Sequence, residues 1–209
     1  MARWEKSGSF GLLYFLGFLQ MEILPQRKSI RLKNYDYSQE GAYFVTICTQ
    51  NREEIFGEII NGKMVLNQMG EIVDQTIQET PKIRQNVQID IYQIMPNHIH
   101  MIIIITDNSQ HPTDPRPTLG NIVAYFKYES TKQINSTSVG AGYSRPINGS
   151  ENRTGSENPT PTDQKYPKIF QRNYFEHIIR NEQELFKTRQ YITLNPQMWD
   201  RDRNNPDSG

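Results

Sequence analysis

His98 and His100 bracket a single residue in Asn97-His98-Ile99-His100. In a strand, residues i and i+2 share a face, so both imidazoles project together with Cα atoms about 6–7 Å apart. Two imidazoles so placed can hold one metal ion. With amide and water ligands and open positions, such a site suits a divalent ion, Mg2+ or Mn2+, better than a closed zinc centre. A second pair lies in Tyr191-Ile192-Thr193-Leu194-Asn195-Pro196. Tyr191 and Asn195 are four apart, so a helix brings a phenol and an amide oxygen to one place. Tyrosine is a useful nucleophile for a phosphodiester that must be remade. Its phenolate leaves readily, so a phosphotyrosine keeps the energy of the broken bond. Each pattern alone also has a plainer reading: two packed core histidines, and a packed tyrosine with asparagine capping a helix end.

The surrounding elements set how these groups are held. Tyr43 to Cys48 is rich in β-branched and aromatic residues and reads as a strand. Asn61-Gly62 between short apolar runs signals a hairpin. Residues 67–83 keep a helical period through Met69, Ile72, Val73 and Ile77, with Pro81 as the stop. Val87 to Met95 and His98 to Thr106 read as strands joined by a Pro96-Asn97 turn, and the run Ile102 to Ile105 suits burial on both faces. Thr118 is a candidate N-cap for a helix to Ile134, with Ile122, Tyr125 and Phe126 on one face. A helical stretch is expected from about Tyr174 to Leu194, broken near Asn181 and stopped by Pro196. This order predicts an α+β fold, a ferredoxin-like (palm-like) antiparallel sheet with helices packed on one face.

Composition narrows the classes. The chain has 209 residues, 35% of them hydrophobic, with a mean hydropathy of −0.72, which is lean for a compact globule. Much of the deficit sits at about 135–165, a Ser, Thr, Gly, Asn and Pro-rich stretch that cannot offset its ordering entropy by burial and is expected to be a disordered insert. The charged tail at 200–209 is expected to fray. Twenty-three basic residues balance twenty-three acidic ones, which argues against a tail-driven nucleic-acid binder but leaves room for a local basic groove. The single cysteine, Cys48, excludes a disulfide framework, a zinc ribbon and a CxxC redox pair. No carboxylate triad joins Asp90, and no GxxxxGK[ST] occurs, which speaks against a DDE-type nuclease and a P-loop motor.

At the start of the chain, Ser9 to Gln20 is uncharged and follows Arg3 and Lys6. It is too short for a membrane span and lacks a small-x-small cleavage site. Residues 1–25 are read as an extension that need not be native, with Met21 as the alternative start. Arg27, Lys28, Arg31 and Lys33 follow, as a solvated arm or as phosphate contacts. A single domain at 26–199 and a cytoplasmic location without a membrane partner are expected.

Four blocks together are more specific than any one. Tyr43-Phe44-Val45-Thr46, Met95-Pro96-Asn97-His98-Ile99-His100, Phe170 to Asn181, and Tyr191-Ile192-x-x-Asn195-Pro196 stand in an order that resembles the HUH-superfamily single-tyrosine transposases, in particular the REP-associated tyrosine transposase branch. The match runs roughly from Gln26 to Trp199, interrupted by the polar stretch. The resemblance implies that His98 and His100 are metal ligands, Asn195 the third ligand and Tyr191 the nucleophile. It implies a divalent cofactor, Mg2+ or Mn2+, and a single-stranded or hairpin DNA substrate cleaved and rejoined through a 5′-phosphotyrosine. Tyr174 is a rival nucleophile, but Ile178 stands where an amide would be needed. Lys127, Arg172 and Arg180 join Arg27, Lys28 and Arg31 as candidate DNA contacts. A monomer is favoured over a homodimer. The competing readings are a non-catalytic hairpin DNA- or RNA-binding module on the same fold, and a metallohydrolase that uses water.

Overall fold

A computed structural model of the chain describes residues 32, 35–84, 86–106, 117–137 and 168–208. Its main sheet is built from β1 (Gly41–Cys48), β4 (Val87–Met95), β5 (His98–Ile105) and β6 (Phe175–Ile179), in the order β4-β5-β1-β6 with every pair antiparallel. Counting only these four strands, the order is second-third-first-fourth, the ferredoxin-like arrangement expected. A separate hairpin, β2 (Gly57–Ile60) and β3 (Lys63–Leu66), follows β1. Its turn holds Asn61 at φ 51° and Gly62 at φ 71°, the left-handed pair that makes Asn-Gly a hairpin signal.

Among the described residues three α-helices accompany the sheet: α1 (Gln68–Ile83), α2 (Leu119–Ser136) and α3 (Glu182–Leu194). The period-2 pattern of β1 and β5 divides their side chains between two cores. Tyr43, Val45 and Ile47 of β1, with Ile99, Met101 and Ile103 of β5, pack against Met69, Val73 and Ile77 of α1 and Ile122, Val123 and Phe126 of α2. On the other face Phe44, Ile102 and Ile179 meet Ile192 of α3, with Leu185 and Tyr191 at the edge of the cluster. The antiparallel α+β expectation is borne out, with α1 and α2 sharing one face; α3 covers the face that carries the even-numbered residues of β5, His98 and His100 among them.

Local signals account for most boundaries. The Asn67 side chain accepts hydrogen bonds from the amides of Met69 and Gly70, and Thr118 accepts from Asn121, so both helices start at a cap. Pro81 does not stop α1, which continues to Ile83. Placed in the last turn it deletes one donor, and the Arg84 amide still reaches the Thr80 carbonyl at 3.2 Å.

Two further expectations fail. The helix proposed from Tyr174 begins instead at Glu182. Residues Phe175–Ile179 form a strand because β1 has a free edge for them, and Phe175 pairs with Thr46 and Ile179 with Ala42. Asn181 then caps α3 through the Glu184 amide. The tail after Trp199 does not fray over its described residues. A 3₁₀ segment, Asn195–Arg201, turns it back, and Asp202, Asn204 and Asn205 are buried. Residues 1–31, which include Arg27, Lys28 and Arg31, and the polar stretch beyond Thr137 up to residue 167 lie outside the described residues.

Candidate active site

The site lies on the α3 face of the sheet, where β5 starts. His98 and His100 are both buried, and their Nε2 atoms stand 2.9 Å apart. The outer nitrogen of each ring has its own partner. His98 Nδ1 meets Asn97 Oδ1 at 2.8 Å, and His100 Nδ1 meets Thr46 Oγ1 at 2.9 Å. The sheet register explains the second contact, since Thr46 is paired with His100 across β1 and β5.

The network fixes the tautomer of His98. Asn97 Nδ2 donates to the carbonyls of Arg52 (3.1 Å) and Asn204 (2.7 Å), so the atom facing His98 must be the amide oxygen. That oxygen can only accept, so His98 carries its proton on Nδ1 and presents a bare lone pair at Nε2. His100 has a choice. It can donate Nε2–H to His98 while Thr46 donates to its Nδ1, or donate Nδ1–H to Thr46 and turn a second lone pair inward. In the second state both lone pairs converge on one point, the arrangement a cation requires. A separation of about 3 Å is what two nitrogens roughly 2.1 Å from one ion span at a right angle, closer to octahedral than to tetrahedral geometry.

Burial pushes both imidazoles toward the neutral form. His98 is lowered to about 4, by burial first; Asp202 opposes the shift, while Arg52 and Arg203 add to it. His100 lies well below the ordinary histidine range because of burial, His98 and Arg203.

The returning tail brings a carboxylate to the pair. Asp202 Oδ2 lies 3.9 Å from His98 Nε2, and the Asn204 amide donates to Asp202 Oδ1 at 2.6 Å. His98, His100 and Asp202 form a buried group that could hold a metal ion. Asn195, at the end of α3, donates from Nδ2 to Asp202 Oδ2 at 3.1 Å, while its buried Oδ1 has no hydrogen-bond partner. An orphaned amide oxygen beside two neutral imidazoles and a carboxylate is a donor set that fits a divalent cation.

Tyr191 completes the cluster. Its hydroxyl is 3.3 Å from His100 Nε2, and its ring meets Phe44 edge-on at 6.0 Å. Phe44 in turn stacks on His100 at 5.4 Å. Burial and Asp202 push the phenol up to about 12, against the opposing pull of Arg203 and Asn195. Arg189, half a turn before Tyr191, grips Asp90 with two hydrogen bonds of 2.7 Å. Asp90 sits where β4 slips register between Ile89 and Ile91, so the irregularity aims a carboxylate at the helix that carries the tyrosine. Asp90 is thus an anchor for α3.

The other sequence candidates fall elsewhere. Tyr174 packs against the opposite core, with the Lys127 ammonium 5.4 Å from its ring. That ammonium donates to the carbonyls of Gln171 (2.9 Å), Arg172 (3.4 Å) and Asn173 (3.2 Å), and burial lowers it to about 8. Lys127 therefore holds the loop before β6. Arg172, exposed on that loop, follows Gln171, whose amide bonds the Cys48 carbonyl at the His98 end of the sheet. Arg180 is exposed just past the far end of β6, roughly 15 Å along the strand direction from Thr46. Asp202, Arg52, Arg203 and the tautomer-setting role of Asn97 are not among the residues expected from the sequence. The available signal was the Asp202-Arg203-Asn204-Asn205 run, whose residue types make Asx turns.

An uncharacterized protein of Haemophilus influenzae is 37% identical over 183 residues, covering 86% of this chain and 93% of that protein. The chain belongs to one family with it. A second H. influenzae protein, named "Putative REP-associated tyrosine transposase", is 27% identical over 169 residues, 79% of this chain and 76% of its own. The resemblance expected from the four sequence blocks is borne out by that relative. A solved structure described as a REP-associated tyrosine transposase bound to a REP hairpin aligns over 80% of this chain and 72% of its own, at 16% identity and a TM-score of 0.49. No family model matches the chain. Among the described residues no helix is long and apolar enough to cross a membrane.

The buried neutral histidines give a pH prediction. Their folded pKa values lie below the ordinary value, so the unfolded chain binds more protons and stability rises with pH across the gap. The metal-free protein should keep its full stability above the ordinary histidine value of about 6.5 and lose it as pH falls toward 4. Thermal melts in chelator should show Tm dropping by roughly 5 °C or more between about pH 7 and about pH 5. A flat profile would mean the pair is not held neutral by the fold.

Proposed function

We propose that the chain is a metal-dependent DNA strand transferase that cleaves and rejoins single-stranded or hairpin DNA through a phosphotyrosine at Tyr191. The observation that carries this reading is the Tyr191 hydroxyl, 3.3 Å from Nε2 of His100 and so beside the buried His98, His100 and Asp202 group. A relative named as a REP-associated tyrosine transposase supports it.

His98, His100, Asp202 and the Asn195 oxygen would hold the divalent ion, Mg2+ or Mn2+, which when bound polarises a phosphoryl oxygen as a Lewis acid. Asn97 and Thr46 orient the two rings from outside. Phe44 holds the Tyr191 ring, and the Arg189–Asp90 pair holds the helix behind it, so the phenol is placed before the strand arrives. In the chemical step the Tyr191 oxygen bonds to phosphorus as the P–O3′ bond breaks. The electron pair leaves with O3′, which takes a proton from water to become a free 3′-hydroxyl, and the phenolic proton leaves to solvent. Tyr191 keeps the 5′-phosphate. Attack by a 3′-hydroxyl reverses the exchange, remakes a phosphodiester and restores the phenol, so no nucleotide cofactor is consumed. His98, His100 and Tyr191 meet within one chain, which suits a monomer.

The test is covalent capture. A hairpin oligodeoxynucleotide labelled at its 3′ end, incubated with the protein and Mn2+, should give a labelled protein band that survives denaturation in detergent. Hairpin binding without any such band would instead indicate a non-catalytic binding module.

A further inference from the structure

Two arginines from distant parts of the chain meet at the rim of the histidine pair, and the reaction above leaves them without a task. Arg52 lies in the turn after β1, and Arg203 follows Asp202 in the returning tail. Arg52 Nη1 donates to the Arg203 carbonyl at 3.0 Å. Asn97 ties both backbones to the site, bonding the carbonyls of Arg52 and Asn204 while its oxygen faces His98. The turn is built at some strain: Asn51 and Arg52 both sit at φ 56°, a left-handed conformation that side-chain-bearing residues seldom hold. Both arginines are exposed, and no carboxylate of the described residues forms an ion pair with either.

We propose that Arg52 and Arg203 form a clamp for a phosphodiester of the DNA strand at the mouth of the histidine site, and that it grips the backbone with or without a metal ion. The guanidinium fork matches phosphate oxygens two at a time. The clamp accounts for how a chain of zero net charge attracts a polyanion: two cations are carried at the rim of the histidine pair. It rests on the reading that the substrate is DNA.

The test is the salt dependence of binding in chelator, read by fluorescence anisotropy of a fluorescein-labelled single-stranded oligodeoxynucleotide. For single strands each phosphate contact contributes about 0.7 to the slope of log K against log salt. Arg52→Ala and Arg203→Ala should each lower the wild-type slope by about that amount and weaken binding several-fold at low salt. Lys82→Ala, which removes an exposed charge from the end of α1, should leave the slope unchanged. Arg52→Lys keeps the charge and loses the fork, so it should recover the slope but not the full affinity, which a merely structural role for Arg52 would not produce. Arginine variants indistinguishable from Lys82→Ala, in a protein that still forms the covalent adduct, would overturn the clamp alone. A wild-type protein that binds no strand and forms no adduct would overturn the clamp and the proposed function together.

Discussion

His100→Ala should abolish Mn2+ binding and, with it, metal-dependent strand cleavage. His100 is buried between Phe44, Thr46, His98 and Tyr191, and its Nε2 is one of the two nitrogens that converge in the site. On the proposed reading the substitution removes a ligand that neighbouring groups cannot replace, because Thr46 lies on the outer side of the ring. Calorimetric titration should show a loss of Mn2+ affinity beyond the roughly 10–100-fold that outer hydrogen-bond partners command. Cleavage should fall by at least about 10²–10³, the range for losing one preorganised electrostatic contribution. Thr46→Val provides the graded comparison. It keeps both ring nitrogens and removes only the orienting hydroxyl, so metal affinity should drop within that 10–100-fold window. Wild-type Mn2+ affinity in folded His100→Ala would place the metal elsewhere.

Tyr191→Phe should remove the covalent adduct and all strand joining while sparing metal and DNA binding. The substitution keeps the ring that Phe44 contacts and deletes one hydroxyl. The hydroxyl meets His100 Nε2 at 3.3 Å, a long contact, so the loss to the fold is small, on the order of 0.5–1.5 kcal/mol. Loss of the nucleophile is by contrast a loss of the reaction, at least about 10³-fold in rate. Cleavage that persisted in Tyr191→Phe without any covalent adduct would identify water as the nucleophile and the protein as a metallohydrolase.

Legibility in the sequence followed the range of the interactions. The histidine pair was readable because a period of two is set by the strand itself, and the strand was marked by its isoleucines. The Asn-Gly turn and the Thr118 cap were readable for the same local reason. Phe175–Ile179 was not, because five residues satisfy a helical and a strand period equally. What decides is the open edge of β1, more than a hundred residues away in the chain. The Asn181 to Glu184 spacing did carry a helix-start signature that argues for the observed boundary. Tyr191 and Asn195 shared a helix end as their spacing implied, but Asp202 was hidden. In sequence it is one charge among several in a polar tail, and only the turn made by Asn195–Arg201 and the bonds from Asn195 and Asn204 bury it. Arg52 and Arg203 were invisible for a related reason. Their juxtaposition depends on Asn97, which gathers three segments that no local pattern connects.

A nucleophilic tyrosine leaves a phosphotyrosine on one residue. Proteolysis of the adduct formed with Mn2+ and a hairpin oligodeoxynucleotide, followed by mass spectrometry of the nucleotide-bearing peptide, reads it directly. A 5′-phosphonucleotide is expected on Tyr191, within the tryptic peptide Gln190 to Arg201. A nucleotide on Tyr174, or cleaved DNA with no modified peptide, would contradict it.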